Sequence, residues 1–393
     1  MKKYQKFALS LIAILLVIAM AGCQAKTTEN ESDSAPSNEE ETTQETFRIA
    51  VAAPITGDNS EYGIGFNNAV KQMADEWNAN GGINGMMIEV VTYDDKNSPE
   101  EAVAVANKIV NDGITAVIGH FSSGVSMAAA PIYVENQVVE ISPSASHPDY
   151  SSIGEYIFRN NTVISHEAKA ALDIAVNDLG KKNIGIVSIK TDWGVSTAEI
   201  VTGLIEDMAD QGVVLTAHEE VIEGSDDYRP AITKLDEAGT EVVISVGMYN
   251  LLAPLAIQYK EINPDIELVG FSNSYSQELL SLGGEAVEGV AFPVIFFSES
   301  DQENIKTFVD SYNELYGSKP SALTAQAYDS AGIIFTAVEQ VGADDPAALR
   351  DAVAELTYAG VTGTTKFDEN RDVQKDFTKV IVKDGEFVLM NEN

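Results

Sequence analysis

Hydroxyl groups crowd two short stretches of this sequence. GHFSSG (119–124) follows the apolar run ITAVI, and ISPSASHP (141–148) closes the apolar run begun by QVV. Serine hydroxyls beside the free N–H groups of a helix start form a neutral cradle for a small anion such as a carboxylate. The same residues also serve as N-caps and turn formers without any ligand. One such loop therefore says little; two at adjacent strand ends say more. Enzyme motifs fit less well. HFSSG has no glycine two residues before Ser122, so it is not a nucleophile elbow. GIGFNN (63–68) has Asn68 where a dinucleotide loop needs its third glycine. DENRD (368–372) starts like a calcium loop, but Val373 stands at the glycine position and Lys379 at the terminal glutamate. His120, His147, His166 and His218 lack metal-ligand spacing, and His120 and His147 read as hydrogen-bonded loop residues. No metal and no cofactor are expected. A hydrolase with an unrecognised serine nucleophile is the competing class.

Positioning these loops falls to alternating strands and helices. TFRIAVAAP, MMIEVVTYDD, ITAVIGH and QVVEISP are strand-like, with helical spacing between them. NSPEEAVAVANKIVNDG carries the clearest helix signals: Ser98 as N-cap, Pro99 as first residue, Glu101 as capping-box partner and Gly113 as stop. The same grammar restarts after Asn161 and runs to IELVGFS. This βα order predicts an α/β fold of parallel sheets covered by helices on both faces, in two lobes. Asp384-Gly385 predicts a late hairpin. In open parallel sheets ligands sit beyond the carboxyl ends of strands, where both serine loops lie.

The chain has 393 residues, enough for two domains, and a net charge of -37. No basic patch is visible, so a nucleic-acid partner is not expected. MKKYQK followed by FALSLIAILLVIAM reads as a secretory signal, too short for a confident membrane span. Cys23 is the only cysteine, so no disulfide within the chain is possible. Ala21-Gly22-Cys23 resembles a lipobox, which implies cleavage after residue 22 and diacylglycerol on Cys23. Loss of residues 1–22 removes three lysines and leaves a charge of -40. Residues 23–45 are acidic and polar, unable to bury enough surface to order themselves. They suit a tether spanning on the order of 25 Å.

The ensemble of GGING, YDDKNSPEEA, VIGHFSSG, ISPSAS, YDSAG and GTTKFDENRD resembles the type I periplasmic binding proteins. It is most similar to the leucine/isoleucine/valine-binding group that serves ABC transporters, over about residues 46–393. The resemblance implies two doubly wound parallel-sheet lobes joined by a three-crossing hinge. Lobe 1 would hold 46–161 and 293–363; lobe 2 would hold 162–292 and 364–393. It implies a ligand-binding set of Tyr62, Ser123, Ser144 and Ser146 on one side and Trp193 and Tyr249 on the other. The family's acidic partner of a ligand ammonium should fall in GFSNSYS, where this chain has Phe271, Ser272 and Asn273. Either Asp192 supplies that charge or the ligand lacks an ammonium. The implied role is a lipid-anchored binder on the outer face of the cell membrane. It would carry a small carboxylate-bearing ligand, by default a branched-chain or other apolar amino acid, to an ABC permease through cleft closure. A ligand-sensing surface receptor is the remaining alternative.

Overall fold

Strand Thr46–Ala53 (β1) is wholly buried from Ile49 onward, as expected of a strand covered on both faces. It is the second strand of a five-stranded parallel sheet. Met87–Asp94 (β2) lies outside it; Ala116–Gly119 (β3), Val139–Ser142 (β4) and Ile157–Arg159 (β5) follow on the other side. The register sets Ile118 beside Ile141, so β3 and β4 end together and their two serine loops emerge side by side. The computed structural model describes residues 46–390; the expected signal 1–22, Cys23 and the tether 23–45 lie outside the described residues.

Three helices follow the first strands: Ser60–Ala79 (α1), Pro99–Asn111 (α2) and Ser123–Glu135 (α3). α2 starts as its sequence predicts, with Ser98 Oγ accepting from the Glu101 N–H at 3.4 Å and Pro99 at the first position. The capping box is only half formed. The Glu101 carboxylate pairs with Lys96 at 2.9 Å, because the Ser98 N–H already donates to the Asp95 carbonyl.

Helix Ile164–Asp173 (α4) leads into a second sheet built from Asn183–Ile189 (β6), Val214–Val221 (β7), Val242–Val246 (β8), Glu267–Val269 (β9) and Ala291–Val294 (β10). These strands are parallel, in the order β10-β9-β8-β6-β7. Asp192–Asp207 (α5), Arg229–Glu237 (α6), Tyr249–Ile262 (α7) and Gln277–Gly283 (α8) connect them. The chain then returns to the first sheet. Glu303–Tyr316 (α9) and Ala322–Val341 (α10) pack on α1, and Pro346–Glu355 (α11) packs on α10 and β4. A small ribbon, Thr357–Gly360 (β11) with Gly363–Lys366 (β12), stands apart from both sheets. The expected hairpin forms as Thr378–Lys383 (β13) and Glu386–Leu389 (β14), with Asp384 at φ 56° and Gly385 at φ 76°. Two successive positive φ values make the turn that matches strand twist. This hairpin adds an antiparallel edge to the second sheet through β10.

The chain thus passes between the sheets after Arg159, after Val294 and after Lys366. Because β10 runs to Val294, the second crossing falls just beyond residue 293.

Candidate functional site

A cavity of about 280 Å³ lies where the carboxyl ends of both sheets face each other. Pockets for small molecules run from about 300 Å³ upward, so its size suits a small ligand. Loops after β3, β4 and β5 and the start of α2 form one wall; α4, the start of α5 and the loops after β7, β8 and β9 form most of the other.

The first wall rests on a buried histidine. His120 Nδ1 lies 2.6 Å from Asp95 Oδ2 and Nε2 lies 3.0 Å from the Tyr133 hydroxyl, all three side chains being buried. The ring holds the loop from beneath, the structural role expected of it. The backbone above is pinned in turn: Ser142 Oγ donates to the His120 carbonyl at 2.9 Å and Ser144 Oγ to the Phe121 carbonyl at 2.6 Å. Ser144 therefore faces the cavity with its proton already committed. Ser122, the N-cap of α3, donates its hydroxyl to Asn97 Oδ1 and leaves the helix without a side-chain cap. Two hydroxyls keep a proton to give. Ser123 Oγ accepts from the N–H groups of Ser146 and His147 at 3.2 and 3.3 Å, and Ser146 Oγ accepts from Trp193 Nε1 at 2.9 Å. These two hydroxyls and the uncapped first turn of α3 offer donors of the kind that can hold an anion, with no Lys or Arg on the cavity wall.

The opposing wall is acidic. Thr191 caps α5 by accepting from the Gly194 N–H at 3.1 Å. Gly194 is required there, since a Cβ would collide with the Ile189 carbonyl; this close approach turns Trp193 toward the first wall. Trp193 packs edge-on against the buried Phe271, with ring centroids 6.1 Å apart. Asp192 reaches across so far that a Cβ on Gly124 would lie 3.5 Å from its Oδ2. Ser272 and Asn273 also line the cavity.

Tyr62 and Tyr249 lie one layer behind the wall, and neither reaches the cavity surface. Phe121 takes that face, stacking on Tyr62 at 4.3 Å, while Tyr62 lies 5.7 Å from Tyr249. The Tyr62 hydroxyl donates to the Asn273 carbonyl at 2.6 Å, a bond between the two halves. Tyr62–Asn273 and Ser146–Trp193 together draw the walls into contact.

Sequence reasoning missed two acids. Glu167 is buried, lines the cavity and accepts from the Ser272 N–H at 2.5 Å. Burial pushes its carboxyl up to about 7, partly offset by the Ser272 N–H and hydroxyl. A carboxyl group thus sits against Ser272, carried by α4 instead of the loop. The signal was present: Ile164, Glu167, Ala168 and Ala171 share the buried face of α4, and an acid on such a face needs a reason. Glu223, half-buried after β7, also lines the cavity; burial raises its carboxyl, and Asp58 raises it further. Nothing in the acidic stretch IEGSDD set this residue apart. Among the described residues, no group of three or more His, Cys, Asp or Glu side chains could hold a metal, and no helix is long and apolar enough to cross a membrane.

A family described as "Periplasmic binding protein" matches residues 46–386. The chain is 30% identical over 336 residues to a leucine-, isoleucine-, valine-, threonine-, and alanine-binding protein of Pseudomonas aeruginosa, covering 85% of this chain and 89% of that one. Its structure superimposes with a TM-score of 0.80 on a branched-chain amino acid transporter substrate-binding protein from Streptococcus pneumoniae in complex with isoleucine; identity is 25%, with 87% of this chain and 98% of that one covered. A solute-binding protein of an ABC transporter from R. palustris, in complex with benzoate, shares the fold at TM-score 0.80 and 20% identity, over 88% of this chain and 95% of that one. The paired parallel-sheet lobes, the cleft at their strand ends and these likenesses lead to one conclusion: the chain belongs to the periplasmic binding protein family, whose members include the leucine/isoleucine/valine-binding proteins.

Proposed function

We propose that this protein is a lipid-anchored solute-binding protein that captures an α-amino acid and delivers it to an ABC permease. One observation carries the reading: a cradle of hydroxyl and helix N–H donors faces buried Glu167 across a cavity of about 280 Å³. The cradle suits a carboxylate and Glu167 suits an ammonium, and both ends of a zwitterion are satisfied only when the lobes meet. A ligand shifts the open–closed balance only by binding the two forms differently. The lobes are residues 46–161 with 295–363, and residues 162–294 with 364–393. Trp193 closes over the ligand from the second, while Tyr62 and Tyr249 act through Phe121 and Asn273. Asp192 lines the cavity from the second lobe.

Cys23 would carry the lipid and residues 23–45 the tether, placing the body on the outer face of the membrane. The protein works by binding, without turnover. Calorimetry with a panel of amino acids and their des-amino analogues tests the reading. Stoichiometric binding of an amino acid is expected, with no binding of its des-amino analogue. Equal affinity for both would remove the ammonium role of Glu167, and hydrolysis of esters or amides would replace the reading with an enzyme.

A further inference from the structure

The cavity wall holds three carboxylates, on Glu167, Asp192 and Glu223, and no basic side chain. One α-ammonium answers Glu167 beside Ser272. Glu223 sits elsewhere on the wall, in the neighbourhood of Asp58, Asn250, Tyr62 and Tyr249. The Asn250 side chain hydrogen-bonds this carboxyl, but its Oε1 is buried with no geometric hydrogen-bond partner among the described residues. The same holds for Oδ1 of Asn273, whose Nδ2 faces the Met248 sulfur at 3.6 Å. Glu223, Met248 and Asn273 all line the one cavity. A purely apolar ligand side chain would leave both acceptors desolvated and unpaired, which is the costly arrangement for a buried polar group.

We propose that the solute is an amino acid whose side chain ends in a nitrogen donor, an amide or an amine, received by Glu223 and Asn273. The inference rests on the amino-acid reading above and names the side chain that reading leaves open. Apolar contact along the ligand's stem comes from Phe121, Trp193 and Met248. A cation arriving at Glu223 also favours its ionised form, so an amine ligand releases protons from a carboxyl that burial holds up.

Three isosteric pairs test this by calorimetry on the intact protein at one pH: leucine with asparagine, norleucine with ornithine, and valine with threonine as a hydroxyl control. The expected result is that ornithine or asparagine binds at least about tenfold more tightly than its apolar partner, since a site built to pair a donor rejects the analogue lacking it. Glu223→Leu should then erase or reverse that ratio while the thermal transition without ligand is retained. Should the variant misfold, the ligand ratios of the unaltered protein still decide. Leucine binding as tightly as asparagine, together with norleucine binding as tightly as ornithine, overturns the inference and leaves the amino-acid reading standing. Failure of all six, with binding of a des-amino acid instead, overturns both.

Discussion

Glu167→Gln should make the ligand-free protein more stable and worse at its task. Burial raises the Glu167 carboxyl from 4.5 to about 7. Every tenfold change in proton affinity corresponds to about 1.4 kcal/mol, so the ionised form costs the native state roughly 3 kcal/mol. The sign follows from proton counting. Between pH 4.5 and about 7 the native protein holds a proton that the unfolded chain has lost, so stability falls as pH rises through this window and is lowest above it. Glutamine keeps an acceptor for the Ser272 N–H and carries no charge at any pH. At about 2.1 cal/mol/K of unfolding entropy per residue, a folded body of about 350 residues gains roughly 4 °C in Tm for 3 kcal/mol. Scanning fluorimetry should therefore show the variant melting higher than the parent at pH 8 and about equal to it at pH 5. With the cognate amino acid present the order should change, because the ammonium has lost a charged partner. Affinity should fall roughly tenfold or more. A variant that melts lower at pH 8, or binds unchanged, would refute a strained and ligand-facing Glu167.

Three further outcomes follow from the same geometry. Ser146→Ala removes one cradle hydroxyl and the acceptor of Trp193 Nε1, so calorimetry should show a loss of about 1–3 kcal/mol in ligand affinity; Trp193→Phe should reproduce part of this loss while small-angle scattering shows a more open ligand-free form. Glu61, on the first lobe, is raised to about 7 by burial and by Glu278 across the cleft, with Ser276 and Tyr249 beside it. Opening would return it toward an ordinary carboxyl, so protons at Glu61 favour closure while protons at Glu167 oppose capture of an ammonium; Glu61→Gln should therefore make affinity fall more steeply from pH 8 to pH 6 than in the parent. Cys23→Ser should abolish palmitate labelling and release the protein from the membrane fraction without altering ligand binding.

Much was legible in the chain itself. Alternating strand and helix patterns specify the α/β class because each element's apolar periodicity is local. Ser98-Pro99, Gly113 and Asp384-Gly385 mark their turns and caps because φ preferences are properties of single residues. The serine loops announce themselves by following buried strands. Sheet order is not local, and it decided what the loops could do. The pairing of β3 with β4 sets Ser123 beside Ser146, and that contact changes the expected roles: Ser144 spends its proton on Phe121, and Ser146 partly spends its oxygen on Trp193. Tyr62 and Tyr249 look like ligand contacts in sequence, but neither lines the cavity and Phe121 stacks over Tyr62, since only packing determines which aromatic takes the outer layer. The carboxyl that stands beside Ser272 comes from Glu167 on α4, more than a hundred positions earlier. Residue types along the chain determined the elements and the kind of chemistry; only the tertiary structure determined which carboxylate meets the cleft, because desolvation and distance exist only once distant segments are packed together.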